Sequence, residues 1–589
     1  MIIRPPTAPR LHAITAYDFE WSKEAYSEET TKSGSKRLRG KLAITLAGAY
    51  DERGYRAYKT LEDFCQGEFT TVNSGRRFYA HFGGASDMVF LIRVLARRKD
   101  WQIRAIFSGS SAIVVSIEDR YGRRWTLLDS FWTMRVPLAS IGEWLGFPKL
   151  EFDHTAEHTW SELRTYNERD CMVLHRALCS FQETINDLGA ELRVTGASTA
   201  LDLFLRRYLQ RPIRNSERIN DYARPAYQAS RVEPLQSRCD AANVYDINSS
   251  FPYSMTFPLA GDPMGACLRN GRPTLPSCES ALWVADCDVL VPDQYLPPLP
   301  YRGKKTGRVY FPTGKFRARI TSEDMRCGDF QVLKVHSSEL FEARTDMAEF
   351  ATELFKRRQG GGFQSQCYKI LSNSLYGKWG EQSEKEILLI NPATVSPDLE
   401  ALAPNIFLGS EQIEVKHAHV PFSAFITARS RRILREYALE AYRQTGAIYY
   451  LDTDSVFTTA TLPESKALGG LKLEAQIASG AFHGPKLYAY SKLDGRELVK
   501  AKGFSRVVSS PKQGETSRLT YSDFLSLKEA GAVAIERMRR IKELVRENRG
   551  FEFEPDVLVS DKRLGKPHAK RKPHGTDSVP WGVGELVGC

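Results

Sequence analysis

No stretch of this chain approaches the roughly 18 consecutive apolar residues that a membrane-spanning helix requires. Its opening, MIIRPPTAPRLHAITAY, holds no apolar core of a secretory signal. Both gaps argue against a membrane partner and leave the cytoplasm as the expected compartment. The ten cysteines include no CxxC pair and no cluster with the spacing of a zinc site, so reduced, structural thiols are expected. HTAEH sets His154 and His158 beside Glu157, but no third ligand follows, which argues against zinc hydrolysis. The RQGGG run is followed by neither Gly-Lys-Ser nor Gly-Lys-Thr and is not a phosphate loop. Tandem repeats and low-complexity tracts are missing as well.

What the chain does have is length and positive charge. Its 589 residues exceed one ordinary core, so three or more subdomains are expected, on the order of 100–200 residues each. Lys and Arg number 82 against 71 Asp and Glu; the resulting +11 suits a polyanionic partner without identifying one.

The first third alternates β-rich runs (ITAYDFEW, KLAITLAGAY, RRFYAHF, SAIVVSIED, RWTLLDS) with helical stretches, ending around ERDCMVLHRALCSFQETI. That order predicts a mixed α/β layer domain over residues 1–190. A connector over 191–235 leads to the strand NVYDI within 236–258. Pro, Gly and aromatic residues then crowd the chain, indicating an irregular β subdomain with basic loops over 259–345. Helical pattern returns over 346–380, a loop-rich insert covers 381–420, and SAFITARSRRILREYALEAYRQ reads as a long amphipathic helix at the start of 421–510. A basic helix and tail occupy 511–589. The expected class is multidomain α/β and α+β.

Three segments carry chemistry together: VYDINSSFPYSM with Asp246, YKILSNSLYGKWG with Lys369, and YYLDTDSVF with Asp452 and Asp454. Strands presenting carboxylates from distant parts of a chain can hold two Mg²⁺ ions about 3.5–4 Å apart for in-line displacement at phosphorus. Lys369 suits neutralisation of a triphosphate, and Asn373 and Tyr376 project from nearly the same helical face. Alone, DTD could be an acidic hairpin turn and NSLYG a helix end. Together and in this order they resemble the three polymerase motifs of family B DNA polymerases, DxxSLYPS, KxxxNSxYG and YxDTDS, the second and third at every defined position.

The resemblance implies a right-hand polymerase of palm, fingers and thumb. Asp246 and Asp454 would bind Mg²⁺ or Mn²⁺, two ions per site, with Asp452 supporting them and Tyr450 positioning the strand. Phe251 stands where the sugar-discriminating Tyr is usual, and its ring can still block a 2′-hydroxyl. Lys486 and Tyr488 of GPKLYAY resemble a primer-contacting KxY element, and Lys502 a downstream Lys-Gly pair. Tyr227 and Arg231 of YQASR fall where relatives carry a template-contacting linker.

In the first third, AYDFEW puts Asp18 and Glu20 on one face of a strand, Asp87 follows in YAHFGGASDMVFL, and TYNERD spaces Tyr166 and Asp170 one helical turn apart. Four carboxylates and a tyrosine can hold two divalent ions and orient a water. These segments resemble the ExoI, ExoII and ExoIII motifs of the family's 3′–5′ exonuclease, an RNase H-like domain. ExoII departs from pattern: Phe82 replaces the Asn that helps hold a frayed primer end, and Ser86 replaces a Phe. DSFWTM, with Ser130, resembles the single-strand channel element (S/T)LxxΦ, Phe131 replacing Leu.

The resemblance implies a monomer acting on primer-template DNA and dNTPs. Its compact length and two inserts, 259–345 and 381–420, are similar to the protein-primed branch, whose terminal protein regions grip a terminal protein primer. A primer-independent relative carries the same motifs. A nuclease with a degenerate polymerase half and a nucleic-acid-binding scaffold are the competing readings; intact polymerase carboxylates weigh against the first and paired acids against the second.

Overall fold

A computed structural model describes residues 2–30, 36–153, 156–501, 503–504, 507–510, 515–530, 533–562, 570–575 and 577–586. The strand Ile14–Lys23 alternates strictly near its middle: Tyr17 and Phe19 are buried on one face, while Asp18 and Glu20 point to the other. It pairs in parallel with Arg77–Ala80, which pairs in parallel with Arg124–Asp129. Lys36–Asp51 and two further strands, Trp101–Ser108 and Ser111–Asp119, extend the sheet antiparallel. The long helix Trp160–Asp187 starts from a capping box in which Thr159 and Glu162 exchange hydrogen bonds, and packs across this sheet.

Two distant segments complete this N-terminal layer. The strand Glu384–Ile390 pairs with Trp101–Ser108, and Ile406–Gln412 pairs outside it. At the other end, Asp556–Lys562 pairs with Lys36–Asp51. Ile541, Leu544 and Val545 of the helix Ile541–Asn548 share one core with Tyr17, Phe64 and Phe90, as do Leu388 and Leu408. The segments expected as a loop-rich insert (381–420) and a basic helix and tail (511–589) thus lend strands and a helix to the first domain. Another part of the C-terminal segment packs elsewhere, Phe524, Leu527 and Ile535 sharing a core with Ala481 and Ala489.

A second sheet, all antiparallel, runs Val232–Pro234, Tyr450–Asp452, Ser455–Thr458, Ala242–Ile247, Leu471–Gly484, Leu487–Lys492, Glu497–Ala501. A third sheet of four antiparallel strands, Leu259–Gly265, Gln331–Arg344, Leu282–Val291 and Gly314–Thr321, builds the region 259–345. Between them lies the helix Val420–Thr445, ended by Gly446 in the left-handed region. The amphipathic reading of this helix needs correction. Arg429, Arg431 and Arg435 are buried, and they pair with Glu323, Asp324 and Asp329 from the third sheet's connection. Arginines that read as a solvated face in sequence are ion-paired struts between two layers.

Candidate active sites

The central site is built on the hairpin Tyr450–Thr458. Thr453 sits at φ 67°, the left-handed turn that leaves Asp452 and Asp454 flanking it. Asp246 lies opposite Ser455 on the next strand, and Ser455 Oγ donates to Asp246 Oδ2 at 3.1 Å. The Ile247 amide donates to the Asp454 carbonyl at 2.8 Å, locking the two aspartate-bearing segments together. Burial pushes the Asp454 carboxyl up to about 7, with Asp246 and Asp452 adding repulsion. Burial, then Glu474, pushes Asp246 up to about 6. Asp452 is buried and takes a different partner: Lys486 Nζ bonds its Oδ1, and Tyr488 donates to its Oδ2 at 3.4 Å. Lys486 is held there by its left-handed backbone and by its amide, which donates to Tyr450 Oη at 2.7 Å.

The helix Gly362–Trp379 faces this cluster. Lys369 is exposed, and its charge and that of Arg358 are felt by Asp246. Arg358 also donates to Ser249 Oγ at 2.5 Å. The Phe251 ring stacks on Tyr376 at 3.9 Å and 20°. Burial raises the Tyr376 hydroxyl above its usual range, Tyr227 and Asp454 contributing. Asn373 is half-buried on the same helix.

The N-terminal site gathers at the carboxyl ends of the parallel strands, the usual place for chemistry in such sheets. Asp87 opens the helix Asp87–Leu95; the Phe19 amide donates to its Oδ1 at 3.0 Å and Ser86 Oγ to its Oδ2 at 2.6 Å. Asn167 Nδ2 donates to Asp18 Oδ2 at 3.0 Å and Glu20 Oε1 at 3.2 Å. Lys149 Nζ lies 2.5 Å from Asp170 Oδ2 and over the Tyr166 ring. Burial raises Asp18 well above the carboxylate range, with Glu20, Asp87 and Asp170 adding to it. Burial likewise takes Glu20 to about 7 and Asp87 to about 6. Burial, then Asp170, pushes Tyr166 to about 12.

Among the described residues no group of three or more His, Cys, Asp and Glu side chains is placed closely enough to hold a metal ion as it stands. The donor sets nevertheless fit divalent cations. Both are all-oxygen, and both hold buried carboxyls whose mutual repulsion a cation relieves. At present lysines supply that charge, Lys149 on Asp170 and Lys486 on Asp452.

Of the residues expected to contact nucleic acid, several are buried. Ser130 is fully buried, its hydroxyl donating to the Ala80 carbonyl at 3.1 Å and meeting His81 Nδ1 at 2.9 Å, so it braces the loop instead of lining a channel. Arg231 is 2% exposed, paired with Glu233 at 2.9 Å and the Pro297 carbonyl. Tyr450 and Tyr488 lie inside the sheet's aromatic core. Tyr227 packs its ring where any side chain on Gly380 would stand, 2.3 Å from the added carbon. Lys486 is half-exposed, and Lys502 lies outside the described residues. Sequence reasoning missed Lys149, Asn167, Asp129 and Glu474. Asn167 had the clearest signal, since it adjoins Tyr166 and follows the strand pair in polarity.

Comparison with known proteins agrees with this geometry. Residues 151–428 match the family model for DNA polymerase type B, organellar and viral. The chain is 25% identical over 491 residues to the DNA-directed DNA polymerase of Enterobacteria phage PRD1, covering 78% of this chain and 82% of that protein. It is 26% identical over 387 residues to a "Probable DNA polymerase" of Neurospora intermedia, of which it spans 39%. Its fold is that of Phi29 DNA polymerase complexed with primer-template DNA and incoming nucleotide substrates, with TM-score 0.68, 16% identity, and coverage of 95% of this chain and 100% of that one. In sequence the chain is thus similar to type B DNA polymerases over residues 151–428, and in fold to Phi29 DNA polymerase.

Proposed function

We propose that this chain is a template-directed DNA polymerase that adds dNTPs to a primer 3′-hydroxyl and proofreads with its N-terminal carboxylates. The observation that carries it is the joining of Asp246, on its strand, to Asp454, in the turn of the adjacent hairpin, beside a helix presenting Lys369. Asp246 and Asp454 would hold two Mg²⁺ or Mn²⁺ ions, which when bound neutralise charge developing at phosphorus. Lys369 and Arg358 attract the triphosphate, and the Phe251–Tyr376 stack walls the sugar. Lys486, pinned on Asp452, carries a cation to the primer terminus. The 3′-oxygen attacks the α-phosphorus, and pyrophosphate leaves with the displaced electron pair. In the N-terminal site Asp18, Glu20, Asp87 and Asp170 would hold the ions, with Tyr166 and Lys149 orienting water.

The four-stranded region 259–345 and the 384–412 strands support protein priming, because both are large additions to the catalytic sheet's connections. Primer extension with dNTPs and Mg²⁺ tests the main reading: extension by the intact protein, lost in Asp454→Ala, is expected, and no extension by the intact protein would reject it. Incubation with a candidate terminal protein and labelled dNTP tests priming. Copying of an unprimed template by this chain alone would replace that reading with primer independence.

A further inference from the structure

Around Arg231 the buried charge does not balance. Arg231 is 2% exposed and Glu233 is 1% exposed, with Arg231 Nε 2.9 Å from Glu233 Oε1. Arg571, buried as well, brings a second guanidinium to 3.8 Å from the same oxygen. Burial lowers Arg231 to about 10; Glu233 opposes that shift, while Arg571 and Arg435 add to it by repulsion.

Two more cations arrive from other parts of the chain. The short strands Tyr301–Arg302 and Val309–Tyr310 form a hairpin that lies on the connector. Arg302 Nη2 donates to Gln228 Oε1 at 2.9 Å, and the Arg231 guanidinium stands 4.0 Å over the Phe311 ring. Arg308 belongs to this hairpin, and its Nη1 is buried with no acceptor among the described residues. Lys570, next to Arg571, is half-buried. Burial holds its ammonium below the ordinary lysine value; Glu233 attracts it, while Arg231 and Arg308 repel it. Other carboxylates are already engaged: Asp324 with Arg431 at 3.1 Å, Asp329 with Arg435 at 2.7 Å, and Asp577 with Tyr295 Oη at 3.2 Å. Among the described residues, four cations are thus set against the one carboxylate of Glu233. Uncompensated charge and an idle donor are both costly away from water, and an anion with several acceptor oxygens relieves both.

We propose that Arg231, Arg308, Lys570 and Arg571 form a site for a small free oxyanion of the phosphate class, which ties the C-terminal segment and the 301–311 hairpin to the strand paired with the catalytic hairpin. A tetrahedral dianion accepts on several sides, which suits guanidinium and ammonium donors converging from three segments. The strand in question, Val232–Pro234, pairs with Tyr450–Asp452, and the Thr453 amide donates to the Arg231 carbonyl at 2.9 Å. The anion therefore braces the strand next to the turn that presents Asp452 and Asp454. It takes no part in nucleotide addition, and none of its four ligands is a residue set against the triphosphate.

The test uses the full-length protein in EDTA and radiolabelled inorganic phosphate in equilibrium dialysis, with chloride holding the ionic strength constant. A single phosphate per chain is expected to bind saturably. Arg308→Gln and Lys570→Gln should each weaken it by roughly 10- to 100-fold, the contribution of a charge-assisted hydrogen bond, whereas Lys369→Gln should change it by less than about 2-fold. Bound phosphate should also protect the hairpin. At about ten times its dissociation constant, tryptic cleavage at Lys304 or Lys305 should slow about 10-fold in the wild type and stay unchanged in Arg308→Gln. The site is overturned by a lack of saturable binding, or by binding that Lys369→Gln removes and Arg308→Gln leaves intact. Primer-template DNA added to the phosphate-loaded protein separates a free anion from a strand's backbone. Phosphate is expected to stay bound, and its release by the DNA would overturn the free-anion assignment.

Discussion

Phe251 shows how much one aromatic residue is asked to do. Stacked on Tyr376 at 3.9 Å, its ring is braced on one face, which restricts its swing. Phe251→Val should lower the preference for dNTP over rNTP, as kcat/KM ratios, by at least about 10-fold. An unchanged ratio would show that the wall is made elsewhere. Asp454 makes a second, independent point. Its carboxyl stands at about 7 in the fold, against an ordinary 3.8, because it is buried beside Asp246 and Asp452. Between those pH values the native state keeps a proton that the unfolded chain has released, so metal-free stability falls as pH rises across the window. Above it the full cost of the buried charge is present. Asp454→Asn should therefore raise the melting temperature of the EDTA-treated protein at pH 8, by about 2–4 °C. The gain should shrink toward nothing at pH 4, and Mg²⁺ should stabilise the wild type more than the variant. Melting curves across pH in EDTA and in Mg²⁺ check both signs. These carboxylates were legible in the sequence because motif spacing fixes them. Lys149 was not, since a single lysine in a loop carries no periodic signal until the fold brings it to Asp170.

At the scale of elements, the N-terminal site depends on how closely the helix Trp160–Asp187 lies on the strand Lys36–Asp51. Gly48 makes that approach: a methyl group there would stand 1.8 Å from Asn167 Oδ1 and 2.8 Å from Tyr55 Oη. Asn167 must then move, and with it the amide that ties Asp18 to Glu20. Gly48→Ala is expected to cut trimming of single-stranded DNA by about 10-fold or more while primer extension stays within about 2-fold, because the central site is on another sheet. Equal loss of both activities would point to general misfolding and sink the argument. The strand pattern around Asp18 was readable from period-two alternation and the helix from TYNERD onward from its apolar spacing, but not the capping box at Thr159. The fate of 381–420 was not. LLI and NIF are short apolar runs that pair with any open edge, and sequence does not say that Trp101–Ser108 supplies it. The helix Val420–Thr445 misled for a related reason, since a buried arginine and a solvated one look alike until Glu323, Asp324 and Asp329 arrive from a different sheet.

Across the whole molecule, the C-terminus behaves as a strap. After Asp556–Lys562 joins the N-terminal sheet, the segment from 570 onward crosses to the central and third sheets. Arg571, 3% exposed, donates to the Tyr295 carbonyl and to the Ser578 hydroxyl and carbonyl, each at 2.9 Å. Ser578 Oγ donates to the Leu235 carbonyl at 2.6 Å, and Thr313 exchanges backbone bonds with Trp581 and Val583. One segment thus bonds the strand leading into the catalytic sheet and two loops of the 259–345 region. A tail read in the sequence as basic is, at Arg571, a buried tie. Its removal leaves Glu233 with Arg231 as its close partner and takes away the bonds to Tyr295 and Thr313, which lie on either side of the exposed Lys304 and Lys305. Truncation after Lys562 should speed tryptic cleavage between residues 301 and 308 by about 10-fold, since local opening, not global unfolding, sets that rate. Arg571→Ala should give a large part of the same effect, because it leaves the Tyr295 and Ser578 carbonyls without the guanidinium donors that hold them. Cleavage timed by mass spectrometry decides it: a truncated protein cut no faster than the full chain would show that the 259–345 region holds its place through the buried arginines of Val420–Thr445 alone.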